Sequence, residues 1–307
     1  MRPVQTHKLG RIDNMTFTDF IATLVNGISL GGIYAMIALG YTMVYGIAKM
    51  LNFAHGDIIM VGAYALFTTL TTGGNIAAAV IVAIVVCTLT GVVIEKVAYR
   101  PLRGASPLAV LITAIGVSYF LQSIAQLIFG AKAQSISVAS LGAVSIAGTN
   151  VSVSSILTMA ISAVIMAALT LFIKKTKTGR AMIAVSEDRG AAQLMGINVN
   201  KIITITFAIG SALAACASVF YLLQIPTAEP TLGSMPGIKA FTAAVIGGIG
   251  SIPGAMIGGV LLGVIEKLCL AVPALAPYTT AVEFSLLIII LLVRPIGLLG
   301  KKRREKV

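Results

Sequence analysis

The sequence has little charge: 10% of its 307 residues are Asp, Glu, Lys or Arg, where a soluble domain carries about 25%. So few charges cannot cover a globular surface, which excludes a water-soluble fold. Tryptophan is absent, so an aromatic belt at a membrane interface has only Tyr and Phe to draw on; Tyr99, Tyr221 and Tyr278 fall near expected span ends. Histidine occurs twice, as His7 and His55, and the three cysteines, Cys87, Cys216 and Cys269, lie far apart in apolar stretches without a CxxC pair. Neither set makes a metal site or a disulfide framework, and the cysteines read as small packing residues. There is no G-x-x-x-x-G-K-[ST], no nucleophile elbow and no HExxH. The chain therefore cradles no nucleotide phosphates itself, and nothing marks it as an enzyme.

What is present is apolar. Hydrophobic residues make up 58% and the mean hydropathy is +1.01. Lipid-facing surface tolerates this, since the bilayer replaces water as solvent. A crossing needs about 20 residues, and such runs lie near 20–40, 58–73, 76–95, 108–129, 154–173, 201–224, 238–250, 254–271 and 279–298. Because 238–250 is short and 41–57 is semi-polar, the expectation is an all-α, polytopic transmembrane bundle of eight to ten spans with short or broken helices. Residues 1–19 form a polar tail that is not a signal peptide, within which Met15 is an alternative start; 20–300 form the membrane domain, and 301–307 a basic cytoplasmic tail.

Basic residues outnumber acidic ones, 22 to 10, for a net charge of +12. They sit between apolar segments and at the C-terminus, a pattern of topology signal and anionic-lipid contact, not a nucleic-acid groove. Loops 95–103 and 174–201 and the tail 294–307 are net positive, whereas 130–153 holds only Lys132 and 225–237 only Glu229 as charged residues. Positive-inside reasoning puts the first three in the cytoplasm and the last two outside, which leaves the N-terminus outside despite Arg2, Lys8 and Arg11. Glu95, Lys239, Glu266, Lys267, Glu283 and Arg294 are expected near span ends, where snorkelling accounts for them, and no buried acidic relay stands out.

Glycine is plentiful, 31 residues, with Gly27-x3-Gly31, Gly254-x3-Gly258 and Gly259-x3-Gly263 placing small residues on single helix faces for close packing. The Gly- and Pro-interrupted regions 27–64 and 237–263 share the theme that inverted repeats leave. Three stretches carry polar or breaking residues. In 41–57, Asn52, His55 and Asp57 interrupt the apolar pattern: either a broken helix lining a substrate path, or a polar cytoplasmic turn between two spans. In 237–259, Gly250, Pro253 and Gly254 make a tight break: a simple turn at the cytoplasmic face, or a gate or hinge. In 174–200, Glu187 and Asp188 open a short helical pattern, Ala191, Ala192, Leu194 and Met195 give it a small apolar face, and Gly196 and Asn198 end it. This is either an ordinary solvated loop or a short helix that docks into a partner's groove.

At these stretches the sequence resembles the LivH-type permeases of the high-affinity branched-chain amino acid importers, a branch of the ABC transporters. The resemblance rests on GYTMVYGIAKMLNFAHGD at 40–57, EKVAYRP at 95–101, Ala184, Glu187, Asp188, Ala191, Ala192, Gly196, Ile197 and Asn198, KAFTAAVIGGIGSIPGAMIGG at 239–259 and RPIGLLG at 294–300. It implies the transmembrane permease subunit of an importer in the inner membrane of a bacterium. It also implies a second, homologous permease, two cytoplasmic ATPases that bind ATP and Mg, and an extracytoplasmic binding protein that delivers leucine, isoleucine or valine. Glu187, Asp188, Ala191, Ala192 and Gly196 are then the ATPase-coupling region, although the Leu-Pro that follows AA-x3-G in other ABC permeases is absent here. Relatives of this type also handle urea, short amides or other amino acids, and an ATP-independent carrier is the remaining alternative.

Overall fold

The structure, a computed structural model, describes residues 17–136, 142–146 and 149–300. Most of the polar tail with Met15, and the basic tail 301–307, lie outside the described residues. Eleven α-helices follow in order: α1 Phe17–Ala48, α2 His55–Thr71, α3 Ile76–Ile94, α4 Pro107–Phe129, α5 Val153–Lys175, α6 Lys177–Glu187, α7 Arg189–Leu194, α8 Val199–Gln224, α9 Ser234–Gly247, α10 Ile252–Ala271 and α11 Thr279–Val293. A π-helical turn, Glu95–Tyr99, extends α3. Among the described residues seven helices are long and apolar enough to cross a membrane, α11 being counted with the 3-10 turn Ala276–Tyr278 that leads into it; α2 and α9 are shorter. Helix α1 starts at Phe17, so the last residues assigned to the polar tail are already helical.

Starts and stops follow local chemistry. Asn75, Ser106, Asp188, Asn198 and Ser251 each accept a hydrogen bond from a backbone N–H of the helix they precede, satisfying donors that a helix N-terminus leaves free. Pro107 and Pro253 occupy first-turn positions, where a missing N–H costs nothing.

The core is built on α1 and α8. From Leu30 to Val44 every residue of α1 is buried, so this helix lies inside the bundle on all sides. It runs antiparallel to α10, with an added Cβ on Gly27 falling 2.8 Å from the Cα of Val264 and one on Gly31 falling 2.6 Å from that of Val260. Lipid tails are as apolar as leucine, so close backbone packing of this kind holds spans together. The outer helices α3, α4 and α11 turn Ile81, Val85, Leu89, Ile112, Phe120, Ile288 and Leu292 outward, as lipid contact requires.

Two helices start inside the bundle. After α1, residues 49–54 fold back inward, and His55 at the start of α2 meets Gly40 of α1 and Gly210, about midway along α8. After α8, residues 225–233 re-enter from the opposite face, and α9 begins where Gly233 and Gly237 abut Gly56. A Cβ on Gly56 would sit 2.5 Å from the Gly233 carbonyl oxygen, and one on Gly237 2.8 Å from the Gly56 Cα. The N-termini of α2 and α9 thus meet near mid-membrane, α2 leaving toward one face and α9 toward the other.

This crossing relates two inverted halves. Helix α1 packs on α9 and α10 as α8 packs on α2 and α3, and α2 packs on α3 as α9 packs on α10. The repeat therefore matches α1–α4 with α8–α11, so that 27–64 pairs with the region of α8 and α9 and not with 237–263, whose Gly-rich turn joins α9 to α10. Likewise, 238–250 is not a full crossing: α9 covers half the depth, and the re-entrant 225–233 covers the rest. Helix α1 continues through Ala48, which narrows the interruption expected over 41–57 to residues 49–54.

The connections 49–51, 100–106, 176–198, 248–251 and 294–300 share one face, which carries the basic loops. The opposite face carries a hairpin, β2 Ala143–Ile146 with β3 Thr149–Ser152, and a short pairing of β1 Gln134–Ser135 with β4 Thr227–Ala228. Replacing Gly31 by Val should lower stability by about 1–3 kcal/mol, the cost of overpacking against an immobile backbone. Thermal unfolding in detergent would show it, and an unchanged melting temperature would contradict the α1–α10 packing.

Candidate functional site

The basic face holds a structured protrusion. Thr176 caps α6, Asp188 caps α7 by accepting from the Ala191 N–H at 3.0 Å, and Asn198 caps α8 by accepting from Lys201 N–H at 3.0 Å. Three caps in series turn a hydrophilic loop into two short helices between α5 and α8. Gly196, at φ +79°, closes α7 with its N–H on the Gln193 carbonyl and the Ile197 N–H on Ala192. Glu187 ends α6 instead of opening α7, and Asn198 begins α8. Among the coupling residues read from the sequence, Ala192 is buried, while Glu187, Asp188, Ala191 and Gly196 are exposed. Leu194 and Met195, at the tip, are 91% and 82% exposed.

Arg189 ties this protrusion to the core. Its guanidinium donates to the backbone carbonyls of Ala48 and, at 3.4 Å, Ile47. Those carbonyls end α1, where no helical N–H remains for them and the helix dipole favours a cation. Burial, with Arg103 nearby, lowers the Arg189 pKa from its ordinary value, but a guanidinium stays charged throughout the physiological range. No sequence spacing announces this contact, because the partners lie 141 residues apart.

The residues read as a substrate path are all buried, in three different settings. Asn52 accepts from the Tyr99 hydroxyl at 2.8 Å. His55 packs against Gly40 and Gly210 with the Tyr41 ring edge-on, centroids 4.9 Å apart. Asp57, in the first turn of α2, accepts from Ser118 and, at 2.9 Å, from Gln122, which also donates to Ser234 at the start of α9. Side chains from α4 and α9 thus surround the acid at the crossing. Tyr99 is buried and bonded to Asn52, so it is no part of an interfacial belt.

The third stretch is the turn between α9 and α10. Gly248 and Gly250 adopt φ of +107° and +92°, Ser251 caps α10, and Pro253 and Gly254 lie in its first turn. Residues 294–300 close over it: the N–H groups of Leu298 and Leu299 donate to the carbonyls of Ile246 and Gly247, at 2.8 and 2.9 Å. Gly250 faces Gly46 near the end of α1. The Arg189 contact, the end of α1 and the α9–α10 turn therefore form one patch.

Snorkelling does not account for the charges as expected. Glu95 is fully buried in the π-helical turn, paired with Arg103 and accepting from the Thr204 hydroxyl at 2.7 Å. Lys239, Glu266 and Glu283 gather inside the bundle, with Lys239 Nζ 2.7 Å from Glu266 and 3.2 Å from Glu283. A buried acidic pair is thus present after all.

Residues 23–292 match the family described as "Branched-chain amino acid transport system / permease component". The chain belongs to this family. It is 45% identical to the high-affinity branched-chain amino acid transport system permease protein BraD of Pseudomonas aeruginosa, over 94% of this chain and 98% of that protein. It is 44% identical to the corresponding LivH protein of Escherichia coli, over 95% and 99%. Among solved structures, PsaBC from Streptococcus pneumoniae in complex with Fab gives a TM-score of 0.47 at 17% identity, covering 91% of this chain and 93% of that one. As a member of this permease family with seven helices long enough to cross a membrane among the described residues, the chain is a multi-pass inner-membrane protein. With the basic face inward, a membrane-impermeant thiol reagent should label Gly130→Cys in intact cells and Gln193→Cys only after permeabilisation. The reverse pattern would invert the assignment of faces.

Proposed function

We propose that this permease is the membrane-spanning subunit of an ATP-driven importer that moves leucine, isoleucine and valine across the inner membrane. Family membership over nearly the whole chain supports the transport role, and the names of the two relatives support the substrate class. The observation that carries the coupling role is the tip of α7. Leu194 and Met195 expose apolar side chains on the face away from lipid, on a helix fastened through Arg189 to the core. Exposed apolar groups on a rigid protrusion suit burial in a partner's groove.

In this reading the chain contributes no covalent chemistry. Two cytoplasmic ATPases bind ATP and Mg, a second homologous permease completes the pathway, and an extracytoplasmic binding protein delivers the amino acid. Closure of the ATPases displaces α7 with Glu187, Asp188, Ala191, Ala192 and Gly196. Arg189 passes the displacement to the end of α1 and so to the re-entrant 49–54, which positions Asn52, His55 and Asp57. The α9–α10 turn at Gly250, Pro253 and Gly254 moves with it through the Gly46 contact. Access to the two faces changes because ATP binding favours one packing of these elements over another, by no more than its differential affinity for the two.

Uptake of labelled leucine by proteoliposomes holding all subunits should require ATP and the ATPases. Uptake that persists without either would point to an ATP-independent carrier, and preference for urea over leucine would reassign the substrate. Leu194→Asp with Met195→Asp should weaken ATPase co-purification about 30-fold or more, as for loss of a hot spot of about 2 kcal/mol, while membrane insertion is unchanged. Arg189→Ala should preserve assembly and ATP hydrolysis but reduce leucine uptake about tenfold or more, matching the loss of charged hydrogen bonds of about 1.5–3 kcal/mol. Coupled transport at the normal rate in that variant would remove Arg189 from the pathway.

A further inference from the structure

The cluster of Lys239, Glu266 and Glu283 lies apart from the coupling patch and has no role in the mechanism above. Its members come from α9, α10 and α11, and α1 adds Tyr34, whose hydroxyl donates to Glu266 Oε2 at 2.7 Å. The Glu283 side chain is 1% exposed, and those of Lys239 and Glu266 are 10% and 12% exposed. Glu266 forms an ion pair with Lys239 through Oε1 and accepts from Tyr34 on Oε2. Glu283 accepts from Lys239 on Oε1, while its Oε2 is buried with no donor. The two carboxyls are neighbours through one ammonium, since both contact the same Lys239 Nζ.

Charge bookkeeping makes this arrangement incomplete as drawn. One ammonium faces two carboxylates, leaving one negative charge inside the membrane, where an uncompensated charge is costly. The other titratable groups facing the cluster are Tyr34 of α1, Tyr221 of α8 and Cys269 of α10, none of them a cation. Lys267 follows Glu266 on α10, and one residue of helix turns it about 100° away. A lone donor-less oxygen beside a second carboxyl is where a carboxylic O–H fits: it gives Oε2 a role and brings the net charge to zero. Each oxygen of Glu266 has a second lone pair to receive that hydrogen.

We propose that Glu266 and Glu283 bind one proton between them, carried on Glu283 Oε2 and donated toward Glu266, and that this proton docks α11 on the bundle. The docking role follows from burial. In α11 the buried residues are Thr279 and Glu283; Leu286, Leu287 and Ile290 pack on the core half-buried, and Ile288, Ile289, Leu292 and Val293 face outward. Glu283 is therefore the main polar anchor of this helix. With the proton bound, a neutral hydrogen-bonded unit joins α1, α9, α10 and α11. Without it, two like charges repel across the α10–α11 contact.

Infrared spectroscopy of the purified full-length chain at neutral pH, in H2O and D2O, tests the assignment. The wild type should show a protonated-carboxyl band that Glu283→Gln and Glu266→Gln each remove, by one carboxyl's absorbance, and that Asp57→Asn does not remove. Both Gln variants leave a Lys–carboxylate pair without the excess charge, so they should keep the wild-type melting temperature, whereas Lys239→Met should lower it. No protonated-carboxyl band, or one that survives both Gln substitutions, would overturn the proposal. These outcomes are independent of ATP and substrate, so they stand or fall separately from the transport reading.

Discussion

A backbone that begins or ends a helix inside hydrocarbon must have its free N–H groups surrounded by protein. That constraint governs this molecule, because α2 and α9 both start near mid-membrane. Gly56, Gly233 and Gly237 allow the two N-termini to abut, backbone on backbone, at separations that a side chain would prohibit. Once that contact is fixed, much else follows. Helices α1 and α8 flank it and are the most buried spans. The chain must re-enter from opposite faces to reach it, which makes the two halves inverted copies. Asp57 lies beside two converging positive helix ends, and Ser118 and Gln122 supply its hydrogen bonds.

The same geometry connects the basic face to the interior. Residues 49–54 link the end of α1 to the start of α2, so a displacement of one is felt by the other within a few residues. Arg189 holds the end of α1 from outside, and Gly250 faces Gly46 beside it. A loop whose helices were uncapped would yield under load. The caps at Thr176, Asp188 and Asn198 fix the start of each helix in the protrusion. In the proposed coupling, a capped protrusion and a break just inside the membrane are complementary: one would carry displacement and the other accept it.

The spans, the gathering of the basic loops on one face and the short helix opened by Asp188 were legible in the sequence, since each depends on local composition or on residues within one turn. What was hidden depends on residues far apart in the chain. Hydropathy reports that 58–73 and 238–250 are apolar, but not that their helices start at mid-membrane, because apolarity is the same at every depth. The repeat was visible as a theme and misaligned, since the Gly-rich turn at 247–254 is more conspicuous than the crossing at Gly56 and Gly233. Glu95, Tyr99 and Lys239 look like interfacial residues by position along their helices. Their partners, Arg103 and Thr204, Asn52, and Glu266 with Glu283, make them interior ones.

The two buried ionic groups differ in consequence. Glu95 pairs with Arg103 at the basic end of α3, and Thr204 donates to its other oxygen, so one cation matches one carboxylate. Lys239, Glu266 and Glu283 lie inside the bundle with one acid in excess. The placement of Glu283 on α11 is informative because lipid gives an apolar helix no reason to prefer protein to acyl chains. A peripheral span must therefore be held by close packing or by polar contact. Helix α1 uses glycine against the backbone of α10, a fit that cannot be switched off. Helix α11 packs through Leu286, Leu287 and Ile290 and adds Glu283, a contact whose strength depends on charge. Of the helices in the second half, α11 buries the fewest residues, so it is the one on whose attachment a single ionic contact weighs most.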